Sequence, residues 1–363
     1  MSLKEYKAEL QEFVNQQRTK KLTAVVMPDF FLDRLLDLSW TANEFSSLTN
    51  EVVNRKGGSI DGISQADIKG GNAVNTASAL AALGIKVTPI LCTSEYGLHL
   101  LKYHLKAKDI DLSHVKIFPK ASVTTALELQ SGSEKVNVML RDVGSLADLS
   151  PEDFNVEDFE VIDKADYVCL FNWAGTKKYG TELAKKIFEK TKQDSKGKTY
   201  YDTADPTPNL EGIDDLIKHV FESGCVDVLS LNENEAVAYA AHLDDSLNAK
   251  RGKVSFADLA LEAARVLSKR FSARIDLHTT AFSASLKNTS EVVVPTFEVN
   301  VVRATGAGDA WNAGNVFGDG NGFSDGCRLM VANAVSACYL SNAEGEHPSL
   351  SKILSFINEN VQG

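Results

Sequence analysis

The sequence predicts an α/β protein built on a doubly wound, mostly parallel sheet with helices on both faces. Three observations lead there. Short β-rich runs alternate with helical stretches along most of the chain, the order that parallel strands with crossover helices require. At 363 residues, with 44% hydrophobic and 24% charged side chains, the chain can bury one large core and has no disorder-prone composition. Thr305-Gly306-Ala307-Gly308-Asp309 stands between a β-branched run and a segment of small residues, the pattern of a strand, a tight turn and a helix start.

Taken in order, residues 1–22 are expected to form an amphipathic helix packed on the body, because Tyr6, Leu10, Phe13, Val14 and Gln17 fall at helical spacing. Residues 23–363 form the main domain. Its strands are placed at 23–27, 86–92, 167–171, 198–202, 226–231, 274–279 and 291–302, with helices between them, for example at 180–193, 234–241 and 256–271. Two stretches break the alternation. Residues 38–68 carry hairpin signals at Gly57-Gly58 and Asp61-Gly62, and 126–140 reads as a hairpin broken at Ser131-Gly132. No internal repeat or low-complexity tract appears.

A net charge of −11 argues against nucleic acid or an anionic membrane as partner, since both call for basic surface. Five scattered cysteines with no C-x-x-C pair read as free thiols in a reducing cytosol, so a cytoplasmic location is expected. No signal peptide or membrane span is read.

The turn at 306–308 carries chemistry. Gly306 and Gly308 remove Cβ atoms that would hold a ligand off the backbone, and the following helix aims unpaired N–H groups and its positive dipole end at the same place. Such a turn holds anions. A carboxylate there, Asp309, repels the ligand unless it has a task, and taking a proton from a hydroxyl that becomes a phosphate ester is one. The plainer alternative is a helix-start Asp.

A second segment, Gly70-Gly71-Asn72-Ala73-Val74-Asn75-Thr76-Ala77, opens a small-residue helix stopped by Gly84. With both segments in this order, the chain resembles the ribokinase-like (PfkB-type) carbohydrate kinase family, from about Ala24 onward. The resemblance implies a ribokinase-like fold plus a small β-sheet lid, built from inserts near 38–69 and 122–141. It implies ATP and Mg²⁺ as cofactors, Asp309 as the base, and Gly306, Ala307 and Gly308 as the anion hole. On the acceptor side it places Asp33, Gly70, Gly71 and Asn75, with Asn172 and Arg141 as further candidates; an Arg would grip an acceptor carboxylate or phosphate with two bonds. On the nucleotide side it places Asn232, Thr279, Thr305 and Asn333, with Glu235 acting on Mg²⁺ through water. Asn232 and Glu235 also spell a helix-capping pair, which is the structural alternative.

The sequence departs from the family at three places. Phe31 stands where Asn is frequent, so the pocket is less polar and a ribose-like acceptor is in doubt. Ala281 and Ala284 replace the glycines after Thr279. Arg303-Ala304 replaces Asp-Thr, and an Arg has no lone pair with which to ligate K⁺, so a monovalent cation is doubtful; either its own charge substitutes or it points outward. The resulting expectation is an ATP-dependent kinase of a small sugar hydroxyl. A nucleoside kinase of the same family and a catalytically silent sugar or nucleotide sensor are the alternatives. A homodimer through the lid is allowed, and a dehydrogenase is excluded because Met27-Pro28-Asp29 offers no glycine fingerprint.

Overall fold

A computed structural model describes residues 2–16, 19–105, 110–132, 134–302 and 305–361. Its strands are β1 (Thr23–Met27), β2 (Phe31–Thr41), β3 (Ser64–Gly70), β4 (Lys86–Pro89), β5 (Cys92–Thr93), β6 (Lys116–Ile117), β7 (Ser122–Ser131), β8 (Glu134–Asp142), β9 (Tyr167–Phe171), β10 (Lys198–Asp202), β11 (Val228–Asn232), β12 (Arg274–His278), β13 (Phe282–Lys287) and β14 (Ser290–Pro295). The helices are α1 (Leu3–Asn15), α2 (Ala42–Asn54), α3 (Asn72–Ala82), α4 (Glu95–His104), α5 (Val156–Lys164), α6 (Gly180–Asp194), α7 (Ile213–His219), α8 (Glu233–Leu243), α9 (Phe256–Arg270), α10 (Ala307–Asn321), α11 (Asp325–Leu340) and α12 (Leu350–Asn360).

The main sheet runs β14-β13-β12-β11-β10-β9-β1-β4, parallel from β12 to β4 and closed at the other edge by the antiparallel β13 and β14. Alternate side chains of one strand feed opposite layers, as the two-residue period dictates. Val25 and Met27 of β1 join the core under α5, α6, α8 and α9; Ala24 and Val26 join the core under α3, α10 and α11. Tyr6, Leu10 and Phe13 dock α1 against the same side, and Gly326 at the start of α11 leaves the room that Tyr6 fills.

A second sheet, β3-β2-β7-β8, stands beyond the carboxyl end of β1. The hairpin expected over 38–68 is corrected here. Residues 42–54 are a helix, started by a capping box in which Thr41 accepts from the Glu44 amide while the Glu44 carboxylate accepts from the Thr41 amide. The strand expected over 291–302 stops at Pro295, because its partner β13 begins at Phe282, which pairs with Pro295; no described strand lies further along. The strand expected over 86–92 likewise divides into β4 and β5, and β5 pairs with β6 instead.

A buried ionic knot ties α10 and α11 to the sheet. Arg328 of α11, fully enclosed, donates to Asp276 of β12 at 2.9 Å and to Ser285 at 2.8 Å, while Arg274 bridges Asp276 and Asp319 of α10. Taking one partner from such a pair strands a buried charge, so Arg328→Ala should lower the unfolding free energy by about 3–5 kcal/mol. In urea titration the midpoint should fall with an unchanged slope; a loss below about 1 kcal/mol would mean that Arg274 alone satisfies Asp276.

Candidate active site

Parallel strands direct their carboxyl ends to one edge, and five neighbouring strands each deliver a polar residue there. Asp29 follows β1, Asn172 follows β9, Asp202 ends β10, Asn232 ends β11 and His278 ends β12. Open sheets of this kind bind ligands outside that edge. Into it points the amino end of α10. Gly306 caps the helix at φ +90°, a left-handed conformation natural to glycine, and a Cβ there would lie 2.7 Å from the Tyr339 hydroxyl. A Cβ on Gly308 would lie 3.2 Å from the His278 ring.

Asp309 sits in the first turn of α10 and is 5% exposed. Two amides hold its carboxylate: Asn72 donates to Oδ1 at 2.9 Å and Asn75 to Oδ2 at 3.0 Å. Burial pushes its pKa well above the ordinary 3.8, the nearby Asp202 and Asp29 push further, and the two amides act against the shift. A carboxylate so held is oriented, ionisable and a stronger proton acceptor than one in water.

Asn75 is therefore engaged before any ligand arrives: its carbonyl accepts from Lys69 at 2.8 Å and its amide serves Asp309. Asn172, at φ +53°, donates to Asp29 at 2.9 Å and accepts from the Gly175 amide. Asp29 is fully buried and also accepts from the Asn72 and Ala73 amides, at 2.8 and 2.9 Å, which caps α3. A Cβ on Gly71 (φ +101°) would lie 3.0 Å from the Asp29 carbonyl. Gly70 makes room for Asp33, whose Oδ2 would lie 2.0 Å from a Cβ at that position.

Two cavities meet the turn. One, of about 400 Å³, is walled by the small sheet and includes Asp33, Thr124, Met139 and Thr305. Arg141 lies beside it, its guanidinium 5.0 Å from the centre of the Phe31 ring, and its charge acts on both Asp33 and Asp29. The other, of about 500 Å³, is walled by Ala307, Gly308, Trp311, His278, Thr279 and Asn333 among others. Within it, Thr279 spends its hydroxyl on its own turn, donating to the Phe282 carbonyl at 2.7 Å and accepting from the Ala281 and Phe282 amides. Asn333 accepts from Trp311 and Ser283 and donates to the Pro295 carbonyl. Asn232 and Glu235 form the capping box on α8. Burial and the Asp202 charge also push the Glu235 carboxyl well up. Arg303 lies outside the described residues.

Sequence reasoning missed Asp202, Asn72, His278 and Asn312. Asp202 is buried and accepts from the Ala204 amide and from Asn312 on α10. His278 packs against Trp311, with ring centres 4.9 Å apart and planes tilted by 31°, and burial holds its pKa down at about 4, so the ring is neutral near pH 7. The signal available for Asp202 and His278 was position alone: each is the last residue of a strand in the sheet.

Burial pushes Asp33 up to about 6, against Thr124, Arg141 and Lys69, which favour its ionised form. A raised folded-state pKa means stability that is full below the unfolded value of about 3.8 and lost as pH rises through about 6. Asp33→Asn carries no charge, so its stability advantage over the parent should grow from pH 4 to pH 7 by on the order of 1–3 kcal/mol. Urea midpoints at the two pH values check this; a pH-independent difference contradicts it.

Among curated proteins no sequence matches. Solved structures superpose over nearly the whole chain. A putative ribokinase II from E. coli in complex with ATP and Mg²⁺ aligns at 14% identity and TM-score 0.71, covering 94% of this chain and 99% of that one. Ribokinase from Thermotoga maritima aligns at 17% identity and 0.67, covering 93% and 98%. The nucleoside kinase of Methanocaldococcus jannaschii aligns at 14% and 0.67, covering 94% and 99%. At these identities the superpositions show a shared fold. A profile of the pfkB family carbohydrate kinases matches residues 43–350, so this chain, with its glycine turn, its buried Asp309 and its two cavities, belongs to that family.

Proposed function

We propose that the protein transfers the γ-phosphoryl group of ATP to a hydroxyl of a small sugar or sugar-like acceptor, with Asp309 as general base and the Gly306, Ala307 and Gly308 amides as the anion hole. The observation that carries this is the Asp309 carboxylate, fixed by Asn72 and Asn75 at the turn that borders both cavities. The acceptor takes the cavity under the small sheet, where Asp33 accepts from its hydroxyls and Arg141 lies within reach. Gly70 and Gly71 shape that pocket, while Asn75 and Asn172 act through Asp309 and Asp29. The nucleotide takes the other cavity, beside Thr279, Asn333 and the end of β11 at Asn232, while Thr305 lies in the wall of the acceptor cavity next to the turn. Proton transfer to Asp309 frees the attacking oxygen, and the turn amides hold the charge spreading over the transferred group. Closure of the small sheet as a lid excludes water.

Asp202 and Glu235 are two buried carboxylates, the first raising the second, a donor set that suits a hard divalent cation able to keep most of its waters. These two residues would hold Mg²⁺ through water, and the ion would supply charge neutralisation to the phosphates. The structural neighbours include kinases of both sugars and nucleosides. The sugar reading is favoured because Phe31 and Trp173, which could have stacked on a base, are only 3% and 2% exposed. Exposed Val136, Val138 and Leu140 on β8 are the surface that a homodimer through the small sheet would cover.

Asp309→Asn should lower kcat by roughly 10²- to 10⁴-fold with little change in either substrate's affinity. In a screen of sugars and nucleosides for ADP release, near-normal turnover by this variant would sink the assignment of the base, and no release by the unmodified protein with any acceptor would favour a silent sensor. Because the folded-state pKa of Asp309 is raised, activity should fall on the acid side at a pH above the ordinary carboxylate range. Asn75→Ala, which removes a donor favouring the ionised form, should move that limb to still higher pH.

The Arg303 reading rests on the sequence alone. If its fixed charge stands in for a monovalent cation, activity at constant ionic strength should be indifferent to K⁺, Na⁺ or an organic cation. Arg303→Asp should then be poor without K⁺ and partly restored by it. Strong K⁺ activation of the unmodified enzyme contradicts the substitution.

A further inference from the structure

We infer that Ser336 and Tyr339, one turn apart on α11, are positioning residues that set the direction of the anion-hole amides. The inference deepens the kinase reading and rests on it. The Tyr339 hydroxyl donates to the Thr305 carbonyl at 3.1 Å, and the Ser336 hydroxyl donates to the Ala307 carbonyl at 3.1 Å. These two carbonyls flank the Gly306–Ala307 link. In a planar trans peptide the C=O and the following N–H point opposite ways. Drawing the Thr305 carbonyl toward α11 therefore turns the Gly306 N–H away from it, and drawing the Ala307 carbonyl does the same for the Gly308 N–H. Both amides belong to the turn that borders the 500 Å³ cavity, whose wall includes Ala307, Gly308 and Ser336.

The need for such a clamp follows from the sequence of the turn. Gly306 has the widest conformational freedom of any residue type, and it sits where amide direction decides whether an anion is held. Left to itself, a glycine peptide can rotate and spoil the hole. The structure removes that freedom from one side. The space a Gly306 Cβ would occupy lies 2.7 Å from the Tyr339 hydroxyl, so the tyrosine in this position requires the glycine. Tyr339 is itself held: its ring stacks on His347 at 4.8 Å and 13°, and His347 Nδ1 lies 3.1 Å from the Ser78 hydroxyl of α3. Helix α3 also carries Asn72 and Asn75, the amides that hold Asp309. The base and the anion hole are thereby referred to the same helix from two directions.

Tyr339→Phe keeps the ring and its stack and deletes only the donor; Ser336→Ala deletes the other. Each should lower kcat about tenfold, the effect of one hydrogen bond, and weaken Mg²⁺-ADP binding severalfold in titration calorimetry. For Ser336→Ala the acceptor KM should stay within about twofold, because neither Ser336 nor its partner Ala307 lines the acceptor cavity. Wild-type kcat and wild-type nucleotide affinity in both variants would overturn the inference. Should Tyr339→Phe fail to fold, Ser336→Ala decides the matter alone. An unmodified protein that binds Mg²⁺-ADP but phosphorylates no acceptor would end the kinase reading, and the calorimetric comparison would still decide the clamp.

Discussion

A carboxylate taken out of water stays ionised only where donors replace the water it lost, and burial raises the pKa of three such groups, Asp29, Asp202 and Asp309, with Asp29 also raising Asp202 and both of these raising Asp309. Most of the site's architecture answers that constraint. Asp29 receives the first two amides of α3 and the amide of Asn172. Asp309 receives Asn72 and Asn75, and Asp202 receives Asn312 and the Ala204 amide. The donors just named on all three are amides. Amides provide hydrogen bonds without a full positive charge, so Asp309 is stabilised enough to exist and not so much that it ceases to be a base.

The same economy reaches deeper along α10. Asn312 links Asp202 to Tyr200 and Ser230, Asn315 links Tyr200 to Asp276, and Arg328 closes the chain. Helix α10 thus carries the proposed base in its first turn and a run of buried polar anchors on one face behind it. Apart from Arg328 Nε, which has no hydrogen-bond partner, the groups named in this network are satisfied, and such a network specifies one arrangement, since a displaced helix would leave several groups unpaired at once. That rigidity suits a group that must stand within hydrogen-bonding distance of a reacting oxygen.

How much of this was legible depended on how local the signal was. The glycine turn and Asp309 are written in five consecutive residues, and the Asn232–Glu235 capping box in four, so both could be read directly. The fold followed from strand and helix alternation, although the strand at 291–302 was overrun because β-branched residues continue past Pro295 while the partner strand does not. Helix α2 was hidden by the glycines after it, yet Thr41 and Glu44 spell its start. The Asn72–Asp309 bond joins residues 237 apart, and nothing in either segment announces the other. For the same reason Asn75 and Asn172 read as ligand donors and turn out to hold carboxylates: residue type shows that an amide will find a partner, and only the tertiary structure shows which.

The small sheet's placement follows from the same carboxylates. The chain leaves β1 at Met27 and enters β2 at Phe31, so Asp29 lies on the link between the two sheets. It returns from β3 through Gly70 and Gly71 into α3, whose first amides Asp29 caps. Outgoing and returning strands are therefore tied at one point, beside Gly71 at φ +101°. Asp33 and the cavity wall lie on the sheet side of that point, Asp29, α3 and the amides on Asp309 lie on the other, and the bond from Lys69 of β3 to Asn75 crosses it. One junction therefore fixes both where the small sheet stands and how the Asp309 carboxylate is held.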